Sequence, residues 1–296
     1  MTPDTNNTER SFRDKWEKNT DLAFDHTLSE SSDIGRWILT RNGWDTHSGL
    51  ERSLAGKKRI LDGGCGNGRV TALLCAHRAA GAKVTGIDLV AAKVAEENLR
   101  GTADVEFRAK NLLGDLSDLG EFDFIYCQEV LHHTGDAETA FRNLAARLAP
   151  GGEIAIYVYK IKAPIREFTD DYVRAKIADL PYDEAMTACR QLTQLGKALA
   201  EQAGTVTVPA VDILGIEAGE HTFQRFVYHF FAKLFWNPDL SFEDNAAINY
   251  DWYHPQDCTR HTADEVRGWF ERAGLEVTRE FVDHYGITMH GRARAA

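Results

Sequence analysis

Arg59-Ile60-Leu61-Asp62-Gly63-Gly64-Cys65-Gly66-Asn67-Gly68 carries a short apolar run into a carboxylate, then glycines, then a helical period. A strand, a glycine turn and a helix in that order is the context that gives a glycine-rich motif meaning. Glycine permits φ > 0 and lets the backbone approach a ligand with no Cβ in the way. The dinucleotide pattern GxGxxG would place a third glycine at position 69, but Arg69 stands there, so the pyrophosphate-binding form fails. In its place is Asp62-x-Gly64-x-Gly66-x-Gly68. A carboxylate at the strand end repels a diphosphate and suits an ammonium group.

Outward from that turn, short apolar runs alternate with helical periods. Strands are predicted at Arg59–Asp62, Lys83–Ile87, Val105–Phe107, Phe122–Cys127 and Glu153–Val158, the last entered through a turn at Pro150-Gly151-Gly152. Helices are predicted at Asn67–Ala80, Ala91–Leu99 and Ala137–Leu148. Such alternation implies βαβ crossovers and a parallel sheet. Asp88 lies twenty residues beyond Gly68, at the end of the second strand, where a carboxylate accepts hydrogen bonds from ribose hydroxyls. The expected ligand therefore has a ribose and a cationic amino-acid end but no diphosphate, and S-adenosylmethionine meets those demands.

Four segments follow from this reading: an N-terminal helical segment (1–57), a cofactor-binding core (58–159), a helical lid insertion (160–256), and a helix with closing strands that return to the core (257–296). In the insertion, Phe223, Phe226, Val227, Phe230, Phe231, Leu234 and Phe235 recur at helical spacing, which predicts one helix with a full apolar face. After it, a helix at Thr262–Ala273 and strands near Leu275–Phe281 and Ile287–Arg292 restore the alternation. The N-terminal segment carries Trp16, Trp37 and Trp44 on predicted helices, suited to covering the cofactor site or to a homodimer surface.

Composition narrows the partners. The net charge of −11 disfavours nucleic acid and anionic membranes as partners. The stretch Phe226–Trp236 is interrupted by His229 and Lys233 and is too short to span a bilayer. The five cysteines are odd in number, scattered and never spaced CxxC, a pattern of reduced thiols in a cytoplasmic protein. No basic stretch followed by an apolar run opens the chain, so secretion is not expected.

On the motif from Asp62 to Gly68, Asp88, and Leu148-Ala149-Pro150-Gly151-Gly152, the chain resembles the class I S-adenosylmethionine-dependent methyltransferases. It resembles their small-molecule type, with a large helical insertion after strand five. The resemblance is dense over Lys58–Val158 and looser over Thr262–Arg292. It implies an α/β fold with a doubly wound, seven-stranded, mostly parallel sheet whose last strand is reversed, here Ile287–Arg292. It also implies that Asp62, Gly64, Gly66 and Gly68 form the cofactor loop and that Asp88 binds the ribose. Asn111 and Leu112 fall where the family usually has an acidic residue beside an apolar one near the adenine, and Asn can still bond the adenine edge. Gln128 and Glu129 follow strand four, where the family lines the methionine end and the methyl group.

Methyl transfer from a sulfonium is an in-line displacement, so the protein must mainly hold the acceptor close and take a proton where one is lost. Glu129, His132 and His133 are the catalytic candidates, with His133 preferred to His132 as a base because neighbours on a helix do not face one point. Cys127 follows tyrosine rather than the proline of the cytosine C5-methyltransferases, which argues against a nucleophilic thiol. His254, Asp257, Cys258 and His261 cluster superficially but lack a second pair at a known metal spacing, so no metal is expected. Tyr157 and Tyr159 share one strand face. With Arg166, Arg225, Tyr228 and Tyr253 they are the candidate substrate contacts, and Asn249–His254 is a dense polar-aromatic run that suits a binding wall. The expected reaction is methyl transfer to a small metabolite beneath the lid, on oxygen before nitrogen or carbon. The alternatives are a protein or peptide side-chain methyltransferase and a cofactor-binding protein without turnover.

Overall fold

The computed structural model describes residues 7–295. Helices α1 (Asn7–Lys18), α2 (Phe24–Leu28), α3 (Asp33–Arg41) and α4 (His47–Leu54) precede the alternating region. That region comprises β1 (Arg59–Gly63), α5 (Arg69–His77), β2 (Lys83–Asp88), α6 (Ala92–Asn98), β3 (Val105–Ala109), β4 (Phe122–Gln128), α7 (Ala137–Ala145) and β5 (Leu148–Tyr159). Next come α8 (Pro164–Ile177), α9 (Tyr182–Ala200), β6 (Thr205–Val208), β7 (Gly219–Thr222), α10 (Phe223–Phe230) and α11 (Phe242–Tyr253). The chain closes with α12 (Ala263–Arg272), β8 (Glu276–Val282) and β9 (Gly286–Arg292). Among the described residues no helix is long and apolar enough to cross a membrane.

The chain divides into two compact units, one of Trp16–Lys160 with residues 259–295 and one of residues 7–15 with Ile161–Cys258. The first holds a seven-stranded sheet in the order β3-β2-β1-β4-β5-β9-β8. The pairings from β3 through β5 are parallel, and β9 runs antiparallel to both β5 and β8, which is the reversed last strand that the family resemblance implies. Both faces are covered, so the central strands are apolar almost throughout. On one face Leu61, Ile125, Ile156 and Met289 pack with Phe141, Trp269 and Phe270 of α7 and α12. On the other, Ile60, Phe124, Tyr126 and Ala155 meet Ile38, Leu39 and Leu50 of α3 and α4 and Leu73 and Leu74 of α5. Fully burying a side chain of this size stabilises by about 1.5–3 kcal/mol. Residues of α3 and α4 thus form part of one wall of the core.

Two local readings change. The predicted turn at Pro150–Gly152 is an irregularity within β5, which starts at Leu148, and the β4–β5 register jumps between Phe122 and Phe124. The predicted Phe-rich helix stops at Phe230. Beyond it, Lys233 N donates to Asp170, and Asn249 brackets Phe235 by accepting from its N–H and donating to its carbonyl. Those side chains satisfy backbone groups that a helix would otherwise pair. The buried face of α10 is accordingly Gln224, Tyr228 and Phe230, and Phe223 is exposed.

Candidate functional site

Strand register decides which side chains meet at the carboxyl edge of the sheet. Asp62 lies opposite Tyr126, Gln128 opposite Tyr157, and Tyr157 opposite Thr288. Residues paired in register share a face, so Gln128, Tyr157 and Thr288 form a row across β4, β5 and β9.

The glycine loop sits at the end of β1. Gly64, Gly66 and Gly68 have φ of 81°, 54° and 86°, a region L side chains seldom adopt. Packing demands glycine as well, because a Cβ at Gly66 would lie 2.8 Å from Trp16 Cζ2 and one at Gly64 2.3 Å from Val130 Cγ2. Trp16 thus lies against the glycine loop. Asn67 ties the loop to the preceding segment by donating to the carbonyls of Thr20 and Leu22, each at 3.1 Å.

Asp88 ends β2 and holds the loop from the other side. Its Oδ2 accepts from Gly66 N at 3.0 Å, and its Oδ1 accepts from Val90 N and Ala91 N at 2.9 and 2.8 Å. Three of the carboxylate's roughly four lone-pair sites are thus taken, and Oδ2 keeps capacity for a ribose hydroxyl. Asp62 is buried and accepts the Thr71 hydroxyl at 2.6 Å. Burial pushes its carboxyl up to about 7, with Asp88 adding to the rise and the Thr71 bond opposing it. A cationic ligand end would relieve that cost.

Gln128 offers a second feature that fits such a ligand. Tyr126 donates its hydroxyl to Gln128 Oε1, which fixes the amide, and Gln128 Nε2 is buried with no hydrogen-bond partner among the described residues. An unpaired buried donor costs about 1–3 kcal/mol. The turn, Asp62, Asp88 and this orphaned amide are all compatible with a sulfonium amino acid bearing a ribose. Of the expected adenine contacts, Asn111 is exposed with its Oδ1 accepting from Leu113 N, and Leu112 is buried.

Glu129 follows at φ 60°, one of four non-glycine residues with positive φ among those described. Strain of this kind concentrates at functional sites. Its carboxylate pairs with Arg69 at 3.1 Å, the residue that breaks the dinucleotide pattern, so Glu129 is already engaged as an ion-pair partner. His132 and His133 lie in a 3-10 turn, Leu131–His133. Both rings face Tyr159, with centroids 3.6 and 5.6 Å away. The 3-10 turn brings both rings to Tyr159, a geometry that the α-helical spacing assumed for the pair does not describe. Tyr157 and Tyr159 are buried beside them, with rings 6.0 Å apart. Cys127 is buried in the core, which pushes its thiol well up and leaves no reactive thiolate.

The remaining candidates belong to the helical unit, where most are occupied internally. Asp170 accepts from Arg166 Nε at 2.6 Å and from Trp252 Nε1 and the Tyr253 hydroxyl at 2.8 Å. Arg166 and Tyr253 are thus members of a buried network rather than groups held open for a substrate. Tyr228 lies between two guanidinium groups, Arg166 at 4.9 Å and Arg225 at 5.3 Å. The run Asn249–His254 is mostly helix interior, and His254 bonds Ser11 Oγ and the Leu180 carbonyl. It packs α11 and does not form an open wall.

Comparison with known proteins agrees with the core. An uncharacterized protein of Synechococcus sp. is 44% identical over 110 residues, 35% of this chain and 26% of that protein. A ubiquinone biosynthesis O-methyltransferase of Coxiella burnetii is 33% identical over 103 residues, 33% of this chain and 42% of the enzyme. The matched region thus spans less than half the length of these relatives. Among solved structures, the CurJ carbon methyltransferase aligns with a TM-score of 0.50 at 12% identity, over 94% of this chain and 58% of that one, a likeness of fold alone. The family described as a methyltransferase domain matches residues 45–280, most of the chain. Together with the Asp62 loop, Asp88 and the seven-stranded sheet, that match identifies the chain as a member of the methyltransferase-domain family, with the class I S-adenosylmethionine-dependent fold.

Proposed function

We propose that this protein is an enzyme that transfers the methyl group of S-adenosylmethionine to an oxygen atom of a small metabolite. The observation that carries the reading is the convergence of Gln128, His132, His133, Tyr157 and Tyr159 at the carboxyl ends of β4 and β5, beside β1 and the glycine loop that follows Asp62. When bound, the cofactor supplies a methyl group already activated on sulfur. The protein's work is to hold that group beside the acceptor, exclude water and accept a proton. Asp62 faces the ammonium end, Asp88 the ribose, and the Gln128 amide donates toward the amino-acid end. His133, fixed against Tyr159, is the base assigned to an acceptor hydroxyl, since imidazole titrates near neutral pH. The O-methyltransferase name of the Coxiella relative supports oxygen as the acceptor atom.

Incubation with methyl-labelled S-adenosylmethionine and a panel of phenols, catechols, hydroxy acids, amines and peptides tests this. Label transferred to a hydroxyl compound, with kcat falling at least tenfold in His133→Ala at unchanged S-adenosylhomocysteine affinity, supports the proposal. Transfer only to peptides, or cofactor uptake with no transfer to any acceptor, refutes it.

A further inference from the structure

Arg41, the last residue of α3, is 1% exposed. Its guanidinium packs on both the Trp37 and Tyr157 rings, 3.6 and 3.7 Å from their centroids, in the corner that the two rings form. Nη2 pairs with Asp283 Oδ2 at 3.1 Å, while Asp283 Oδ1 accepts from Tyr285 N and Gly286 N. Among the described residues Nε and Nη1 are buried with no hydrogen-bond partner, and the guanidinium lies within interaction reach of the Tyr157 hydroxyl. Leaving such donors unpaired is costly, and a charged group demands compensation more than a neutral one.

A neighbour shares the deficit. Thr288 is fully buried, stands opposite Tyr157 on β9, and its Oγ1 has no partner among the described residues. On the other side of Tyr157 stands Gln128, whose amide is assigned above to the amino-acid end of the methyl donor. Strands lie about 4.8 Å apart, so Gln128 and Thr288 span roughly 10 Å of sheet edge with Arg41 stacked over its middle. The open positions are N–H donors and a hydroxyl. That chemistry calls for an anion, and a planar carboxylate is what a guanidinium edge binds best. Position separates this place from the cofactor loop: Arg41 overlies β5, two strands from β1 and away from Asp88 on β2. The net charge of −11 gives the molecule no long-range attraction for anions, so recognition has to come from direct contact here.

We propose that Arg41 and Thr288, walled by Trp37 and Tyr157, form a subsite for a carboxylate on the methyl acceptor, which makes the acceptor an organic acid. The proposal rests on the methyltransferase reading above and narrows its substrate class. The rival source of the same chemistry is the carboxylate of the methyl donor itself.

Benzoate is the probe, with benzamide as its uncharged counterpart, titrated into the full chain saturated with S-adenosylhomocysteine. Benzoate is expected to bind at least tenfold more tightly than benzamide. That preference should vanish in Arg41→Met and weaken several-fold in Thr288→Val, with S-adenosylhomocysteine affinity within twofold of wild type in both. If Arg41→Met does not fold, as judged by circular dichroism, Thr288→Val and Arg41→Lys carry the comparison. The proposal is overturned if wild type shows no preference for benzoate, or if the folded variants keep it. A tenfold loss of S-adenosylhomocysteine affinity in Arg41→Met also overturns it, because the guanidinium then serves the methyl donor. Failure of wild type to take up S-adenosylhomocysteine at all strikes the underlying reading and is seen before benzoate is added.

Discussion

Replacing Asp62 by asparagine should change both the stability of the ligand-free protein and the pH dependence of cofactor binding. The buried carboxyl rises from 3.8 to about 7, chiefly through desolvation. Between those values the folded protein holds a proton that the unfolded chain releases, so stability falls as pH rises through this window. At about 1.4 kcal/mol per pH unit, the full cost above pH 7 is ~4 kcal/mol. His290 has the opposite sign: burial lowers it to about 4, so its share of stability is lost as pH falls from 6.5 toward 4. The difference between wild type and Asp62→Asn therefore isolates the aspartate. Urea unfolding of the ligand-free protein should show the variant gaining stability relative to wild type as pH rises from 4 to 8. Calorimetry should show wild-type affinity for S-adenosylhomocysteine flat above pH 7 and falling roughly tenfold per unit below it, since the proton must leave before the ammonium end pairs. Asp62→Asn should bind weakly at every pH. A flat wild-type affinity between pH 5.5 and 8, or an unchanged profile in the variant, would show that Asp62 does not meet a cation.

Two further substitutions test the packing around the site and in the helical unit. Gly66→Ala places a methyl group against Trp16 at φ 54° and should cost about 2 kcal/mol from strain and overpacking. Thermal unfolding should show part of that cost recovered when Trp16→Leu is combined with it. Arg166→Met strands the Asp170 carboxylate, which is 1% exposed, and should destabilise by about 3–5 kcal/mol. Arg166→Met with Asp170→Leu should be less damaging than the single change, and an equal or larger loss would contradict an ion-pair role.

The parts of this protein legible in its sequence are those in which neighbours along the chain decide the outcome. The run from Asp62 to Gly68 needs only its own glycines and carboxylate to announce a strand, a turn and a helix. The βα alternation carries the sheet with it. What stayed hidden depends on residues far apart in the chain. Trp16 meets Gly66, Arg69 pairs with Glu129, and Asp170 gathers Arg166, Lys233, Trp252 and Tyr253. That last network ends the Phe-rich helix early and turns Asn249–His254 inward, so periodicity overstated the first and composition misjudged the second. Arg41 gave no local signal, because its meaning lies in a strand more than one hundred residues away. The His132–His133 pair lies in a 3-10 turn, a local geometry that the helical spacing read from the sequence did not describe.

The account stands most directly on what the turn at Asp62 receives. Calorimetric titration of the full chain with S-adenosylhomocysteine, and separately with NAD, addresses that alone. One site for S-adenosylhomocysteine, weakened at least tenfold by Asp88→Ala, and no heat from NAD is the predicted result. Tight uptake of NAD with none of S-adenosylhomocysteine would contradict it.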